Sequence, residues 1–124
     1  MEQQNELKLG IGTEEAVTLK PTTLKILSVE IKEVGEKKSK KVVCSCKHPD
    51  AELPISISSI KYEAKGKLEV SGLWVNLDSK KLIRKGSALA VFLQQLGCST
   101  IEQLAGKEAM TTTDEKGYLT FKSY

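Results

Sequence analysis

Aromatic residues are scarce: one tryptophan, three tyrosines and two phenylalanines in 124 residues. There is one histidine, and one arginine against eighteen lysines. No apolar run approaches the roughly 20 residues that span a bilayer, so a membrane helix is not expected. The opening "MEQQNELKLG" is polar and acidic, unlike a secretory signal, and a cytoplasmic protein is expected. Three cysteines, an odd number, argue against a disulfide framework. GxSxG, a P-loop, a dinucleotide-type glycine fingerprint and HExxH are all missing, so the sequence points away from an enzyme. The arginine shortage argues against reading base edges in duplex DNA, which leans on arginine forks to guanine. Lysine is a point charge, suited to contacts with a nucleic-acid backbone.

What is present is a single-domain length with an unevenly distributed charge. The net charge is only +3, but Lys37–Lys47 ("KKSKKVVCSCK") holds five lysines and no acid. "KKLIRK" at 80–85 holds four basic side chains, again without an acid. Acids gather elsewhere, at Glu2, Glu6, Glu14, Glu15, Asp114 and Glu115. Local basic patches attract polyanions even at small net charge, although lysine-rich loops also serve as solvated faces or protected sheet edges. Residues 1–16 carry little apolar periodicity and are expected to form an arm, leaving 17–124 as one domain.

Most of that domain reads as strand. "LSVEIKEV" alternates, placing Leu27, Val29 and Ile31 on one face as a half-buried strand. "KVVCSCK" is a second strand and "ISISSIKY" a third extended run, extra or split. In "KLEVSGLWVNLD", Leu68 and Val70 share one parity while Leu73, Val75 and Leu77 have the other. A bulge at Ser71-Gly72 would keep all five inside and turn Trp74 outward. An unbulged strand would instead bury Trp74 beside Leu68 and Val70. The bulge satisfies both halves of the pattern and is the expectation.

The period then changes. In "GSALAVFLQQLG", Leu89, Phe92, Leu93 and Leu96 form a helical stripe, with Ser87 to cap it and Gly97 to end it. In "STIEQLAG", Ser99 and Glu102 have capping-box spacing. "KEAMTTT" and "YLTFKSY" flank "DEKG", a hairpin signal. Strands, one amphipathic helix, then two more strands give a mostly-β fold. The expected architecture is an OB-fold-like antiparallel barrel with its helix between the third and fourth main strands.

Cys44, Cys46 and His48 alternate along one strand face. Residues two apart on a strand stand about 6.6–6.8 Å apart, whereas two zinc ligands are at most about 4.6 Å apart. No metal site or other cofactor is expected, and the cysteines read as buried and chemically quiet.

The pattern that remains is a platform for single-stranded nucleic acid. An outward aromatic ring stacks on a base for about 1–3 kcal/mol whatever the base, while lysines neutralise phosphates. Trp74 and Tyr62 are the stacking candidates. Lys37, Lys38, Lys40, Lys41, Lys61, Lys80, Lys81, Arg84 and Lys85 are the backbone contacts. Single-stranded DNA is the expected ligand, with RNA the alternative, bound with little sequence preference and steep salt dependence. The rival reading is a protein-interaction module anchored on Trp74, and a homo-oligomer is compatible with either.

The stretch from "GLWVNLD" through "KGSALAVFLQQLG", "STIEQLAGKE" and "DEKGYLTFKSY" resembles small OB-fold-like single-stranded DNA-binding proteins of phages and archaeal mobile elements. The resemblance covers roughly the last 55 residues and implies accessory work in DNA replication or recombination on a virus or plasmid.

Overall fold

The structure, a computed structural model, describes residues 19–124. The arm expected over 1–16 lies outside the described residues. β1 (Leu24–Val34) and β2 (Ser39–Lys47) form a long hairpin. β3 (Ile55–Ile57) and β4 (Ser59–Ala64) are separated by Ser58 alone, and β5 (Lys67–Gly72) returns antiparallel to β4. Helix α1 (Ala88–Gln95) and a short 3-10 turn (Ile101–Leu104) precede β6 (Glu108–Ala109), β7 (Thr111–Thr113) and β8 (Leu119–Ser123).

The pairings run in a ring. β1 pairs with β2, and β2 with β3. The chain bends at Ser58 into β4, which pairs with β8. β8 pairs with β7, which continues through Met110 into β6, and β6 returns to β1. The "ISISSIKY" run is thus a single stave, bent in the middle. A wholly antiparallel barrel was the expectation, and one pair corrects it: β4 and β8 run parallel. The helical crossover between them delivers β8 to the same end of the molecule at which β4 begins, and only a long connection permits that.

Alternation explains the core. Val42, Cys44 and Cys46 point inward from β2 and meet Leu24, Ile26, Ile57, Ile60 and Phe121. The stripe of α1 lies against this set through Leu89, Phe92 and Leu93, and Phe92 stacks on Phe121 with ring centroids 4.5 Å apart. Burying each such large apolar side chain is worth about 1.5–3 kcal/mol. The Ser87 hydroxyl caps α1 by accepting from the Ala90 amide at 3.3 Å, and Gly97 follows the helix at φ +69. The capping box expected between Ser99 and Glu102 is replaced. The Ser99 amide donates instead to Gln103 Oε1 at 2.7 Å, satisfying the end of the turn from one residue further along.

Two strand expectations need correction. The first concerns β1, whose register shifts between Ile26 and Ser28, so Leu27 is the extra residue of a bulge. Leu24 and Ile26 are buried and Val29 packs against the core, but Leu27 and Ile31 are exposed. A bulge takes Leu27 out of the alternation, and Ile31, although opposite the buried Val42, is itself 49% exposed. The second concerns Ser71-Gly72, where no bulge exists. Pairing runs without a shift from Ala64–Lys67 to Ser59–Gly72, and the Leu73 amide continues it to the Ser58 carbonyl at 2.9 Å. Plain alternation therefore sends Leu68, Val70 and Trp74 outward and Leu73 inward. Leu68 (48% exposed), Val70 (45%) and Leu77 (47%) are not core residues, whereas Leu73 is fully buried. The β4–β5 hairpin extends beyond the layer that packs on α1, and on its outer face Leu68 and Val70 line an open groove with Asp114, Glu115 and Lys116.

Candidate functional site

The segment 67–75 is one continuous extended strand with two successive partners on a single edge. Through Leu73 it pairs with β4. The Leu73 carbonyl then accepts from the Val42 amide at 2.8 Å and the Val75 amide donates to the Lys40 carbonyl at 2.9 Å, passing the strand to β2. Trp74 stands directly opposite Lys41 in this second pairing.

The indole is half-buried on the outer surface and lies over Gly72. A Cβ at Gly72 would stand 2.7 Å from the indole Nε1 and 2.9 Å from Lys41 Cε, so the missing side chain makes room for both groups. Lys41 Nζ is 5.0 Å from the ring centroid, a cation–π contact worth about 0.5–1 kcal/mol at an exposed site. The same outward row continues across β2 to β1, where Lys32 pairs with Lys41. Its ammonium lies 3.2 Å from Glu30, but with both side chains more than half exposed that ion pair holds it weakly. Ser39, Lys40, Trp74, Val75 and Asn76 line a shallow cavity of about 270 Å³ beside the ring.

The predicted site residues divide into three places. Trp74 and Lys41 are brought together on the outward face. Lys40 has the inward parity of Val42 and meets Trp74 only as lining of the same small cavity. Lys37 and Lys38 lie in the adjoining β1–β2 turn, closed by the Lys38 amide donating to the Gly35 carbonyl at 3.1 Å. Lys80, Lys81, Arg84 and Lys85 lie on the loop after the Trp74 strand. Asp78 organises that loop by accepting from the Lys80 and Leu82 amides at 2.9 and 3.1 Å. Its return leg bonds the Arg84 amide to the Asn76 carbonyl at 2.8 Å, which sets Arg84 one strand away from Asn76. The Arg84 guanidinium also donates to the Leu77 carbonyl at 3.2 Å.

Lys61 and Tyr62 lie elsewhere. Lys61 faces outward opposite Val70 and lines a separate groove of about 640 Å³ with Leu68, Glu69, Asp114, Glu115 and Lys116. Three carboxylates make that groove a poor anion site. Tyr62 shares the inward parity of Ile60 and packs against the core, on the opposite face of the sheet from Trp74.

Sequence reasoning missed several surface groups. Among the described residues lysine stands opposite lysine at three ladder positions, Lys25–Lys47, Lys32–Lys41 and Lys61–Lys122. Like charges directly opposite are destabilising in an isolated sheet. Tyr118 is 69% exposed beside the "DEKG" turn, and Lys122 Nζ lies 4.9 Å from the Tyr124 ring. Register, invisible in the sequence, creates the lysine pairs. The tyrosines carry a sequence signal, an aromatic residue flanking a polar turn or closing a strand.

Cys44, Cys46 and His48 do share the inward face. Burial pushes the Cys44 thiol up to about 12, with Cys46 nearby adding to it, and burial pushes Cys46 up to about 11. His48 is buried, its Nε2 2.8 Å from the Lys20 carbonyl and its Nδ1 accepting from the Asp50 amide at 3.0 Å. Those partners define a neutral imidazole with its proton on Nε2. Among the described residues no group of three or more His, Cys, Asp or Glu side chains is placed to hold a metal ion. None of the helices there is long and apolar enough to cross a membrane. No family model, curated protein or solved structure matches this chain.

Proposed function

We propose that this domain binds single-stranded nucleic acid, DNA in preference to RNA, through its charge and stacking surface rather than by reading sequence. The observation that carries the reading is the outward row Lys32–Lys41–Trp74. Two lysines oppose one another beside a half-buried indole, an arrangement that an intervening phosphate and a stacked base would relieve and use together. Lys37, Lys38, Lys40 and Arg84 border this row. Lys80, Lys81 and Lys85 extend it along the following loop, whereas Lys61 and Tyr62 stand apart from it, in the acidic groove and on the inner face of the sheet.

On this reading the barrel is of OB type. The ring order and its single parallel pair support that, as does the helical crossover before the last two staves. The resemblance of the C-terminal half to small single-stranded DNA-binding proteins of phages and archaeal mobile elements belongs to the same proposal. So do a cytoplasmic setting and an accessory role in replication or recombination. No catalysis is assigned, since the thiols are held neutral and both nitrogens of His48 are occupied by backbone groups.

Titration with oligo(dT) tests the proposal through the single tryptophan. Binding should quench Trp74 emission at low salt, weaken steeply as salt rises and exceed binding to a duplex of equal length. An unchanged spectrum and unchanged mobility with oligo(dT) and oligo(rU) at low salt would overturn it.

A further inference from the structure

The strand 67–75 spends all its ladder bonds on one edge. The amide and carbonyl groups of Leu73 and Val75 turn toward Ser58, Val42 and Lys40, and by the alternation of an antiparallel ladder those of Ser71, Glu69 and Lys67 turn toward β4. The backbone groups of Leu68, Val70, Gly72 and Trp74 therefore point the other way. Among the described residues no strand pairs with that edge until the return leg of the 78–84 loop reaches Asn76. Such an edge is a template for another strand unless it is blunted. This one carries no proline, and its outward face presents exposed Leu68 and Val70.

We propose that this edge is the interface with a second copy of the chain, whose own 67–69 segment adds antiparallel about a two-fold axis at Leu68. The contact is isologous, as a two-fold requires. The alternation of backbone groups allows Leu68 and Val70 to meet only even-numbered positions of the other copy. With the axis at Leu68, Lys67 faces Glu69 of the second copy and Glu69 faces its Lys67, while Leu68 meets Leu68. With the axis at Glu69, glutamate faces glutamate, which is repulsive. Axes further along set Lys67 and Glu69 against uncharged Ser71, Leu73, Val75 or Leu77. Charge complementarity therefore selects the first register. Lys67 and Glu69 are both exposed and fall at its close, non-hydrogen-bonded positions, where side chains approach most nearly. The inference does not depend on nucleic-acid binding.

Sedimentation velocity on the full chain, across protein concentrations up to about 1 mM, tests it together with charge reversal. The wild type should show a concentration-dependent dimer. Lys67→Glu alone and Glu69→Lys alone should each weaken dimerisation by tenfold or more, and the double exchange should restore it. Amide exchange at Leu68 should slow as concentration rises. A chain that stays monomeric throughout overturns the proposal. So does a dimer indifferent to the single reversals, or one that the double exchange fails to rescue. A partner strand from a different protein would appear as a monomer by sedimentation and counts against it.

Discussion

Trp74 lies over Gly72, two residues earlier on the same face of one strand, at a distance that leaves no space for a Cβ. Gly72→Ala should push the indole and the Lys41 side chain outward. Gly72 is not among the positive-φ glycines, so backbone strain does not enter. Lower entropy of the unfolded chain offsets part of the steric cost, leaving a net loss of at most about 1 kcal/mol. The informative readout is tryptophan emission, which should shift to the red in the folded variant. An unshifted spectrum would mean that the ring does not rest on Gly72.

Trp74→Ala should weaken oligo(dT) binding by about 1–3 kcal/mol, the worth of one stacked base. Lys41→Gln should lower affinity and also reduce the slope of log K against log salt by roughly 0.7, the signature of one lost phosphate contact on a single strand. Because Tyr62 packs on the inner side of β4, Tyr62→Ala should lower the melting temperature and leave the affinity of the folded protein near wild type. Fluorescence anisotropy with labelled oligonucleotide at several salt concentrations separates the three variants. Equal effects of Trp74→Ala and Tyr62→Ala on affinity would contradict the geometry.

His48 ties the segment before β1 to the turn after β2 through Lys20 and Asp50. His48→Ala removes a buried side chain and its two hydrogen bonds to backbone groups of the exposed residues Lys20 and Asp50, at a cost of about 1–3 kcal/mol. His48→Asn, whose side-chain oxygen can accept from the Asp50 amide, should recover part of the loss. Urea unfolding measures both, and binding by the folded fraction should be unaffected.

The raised thiols make stability depend on alkaline pH. Below pH 9, the value expected for an unfolded cysteine, both thiols are protonated in either state and the contribution is constant. Above it the unfolded chain loses protons that the folded chain retains, so stability falls as pH rises towards 11 for Cys46 and 12 for Cys44. The slope is at most about 1.4 kcal/mol per pH unit for each thiol. Denaturant melts at successive pH values should show this decline, and the Cys44→Ala/Cys46→Ala double variant should lose it. In the native protein both thiols should also react slowly with a disulfide reagent near pH 8 and rapidly once unfolded.

Elements with strong local grammar were readable from residue type alone. The stripe Leu89, Phe92, Leu93, the Ser87 cap, Gly97 and the "DEKG" turn all specify their structure within a few residues. So does the alternation of Val42, Cys44 and Cys46, because β2 lies between two partner strands and carries no bulge of its own. Apolar parity misled where the covering layer ends. Leu68 and Val70 have the composition of a core strand, yet they face outward on a hairpin that extends past that layer. Leu27 was misplaced because a bulge in β1 shifts the phase by one residue, and nothing in "LSVEIKEV" marks where.

By itself, then, the chain determined a mostly-β molecule with one capped amphipathic helix, lysine-rich turns and a lone tryptophan, since periodicity, capping and charge clustering act between near neighbours. Only the tertiary structure decided that lysine faces lysine across the ladder, that Trp74 settles on Gly72 under Lys41, and that no strand among the described residues pairs with one edge of the 67–75 strand. Those depend on register and on which strands meet, and register is set by closing the whole ring around its core rather than by any segment alone.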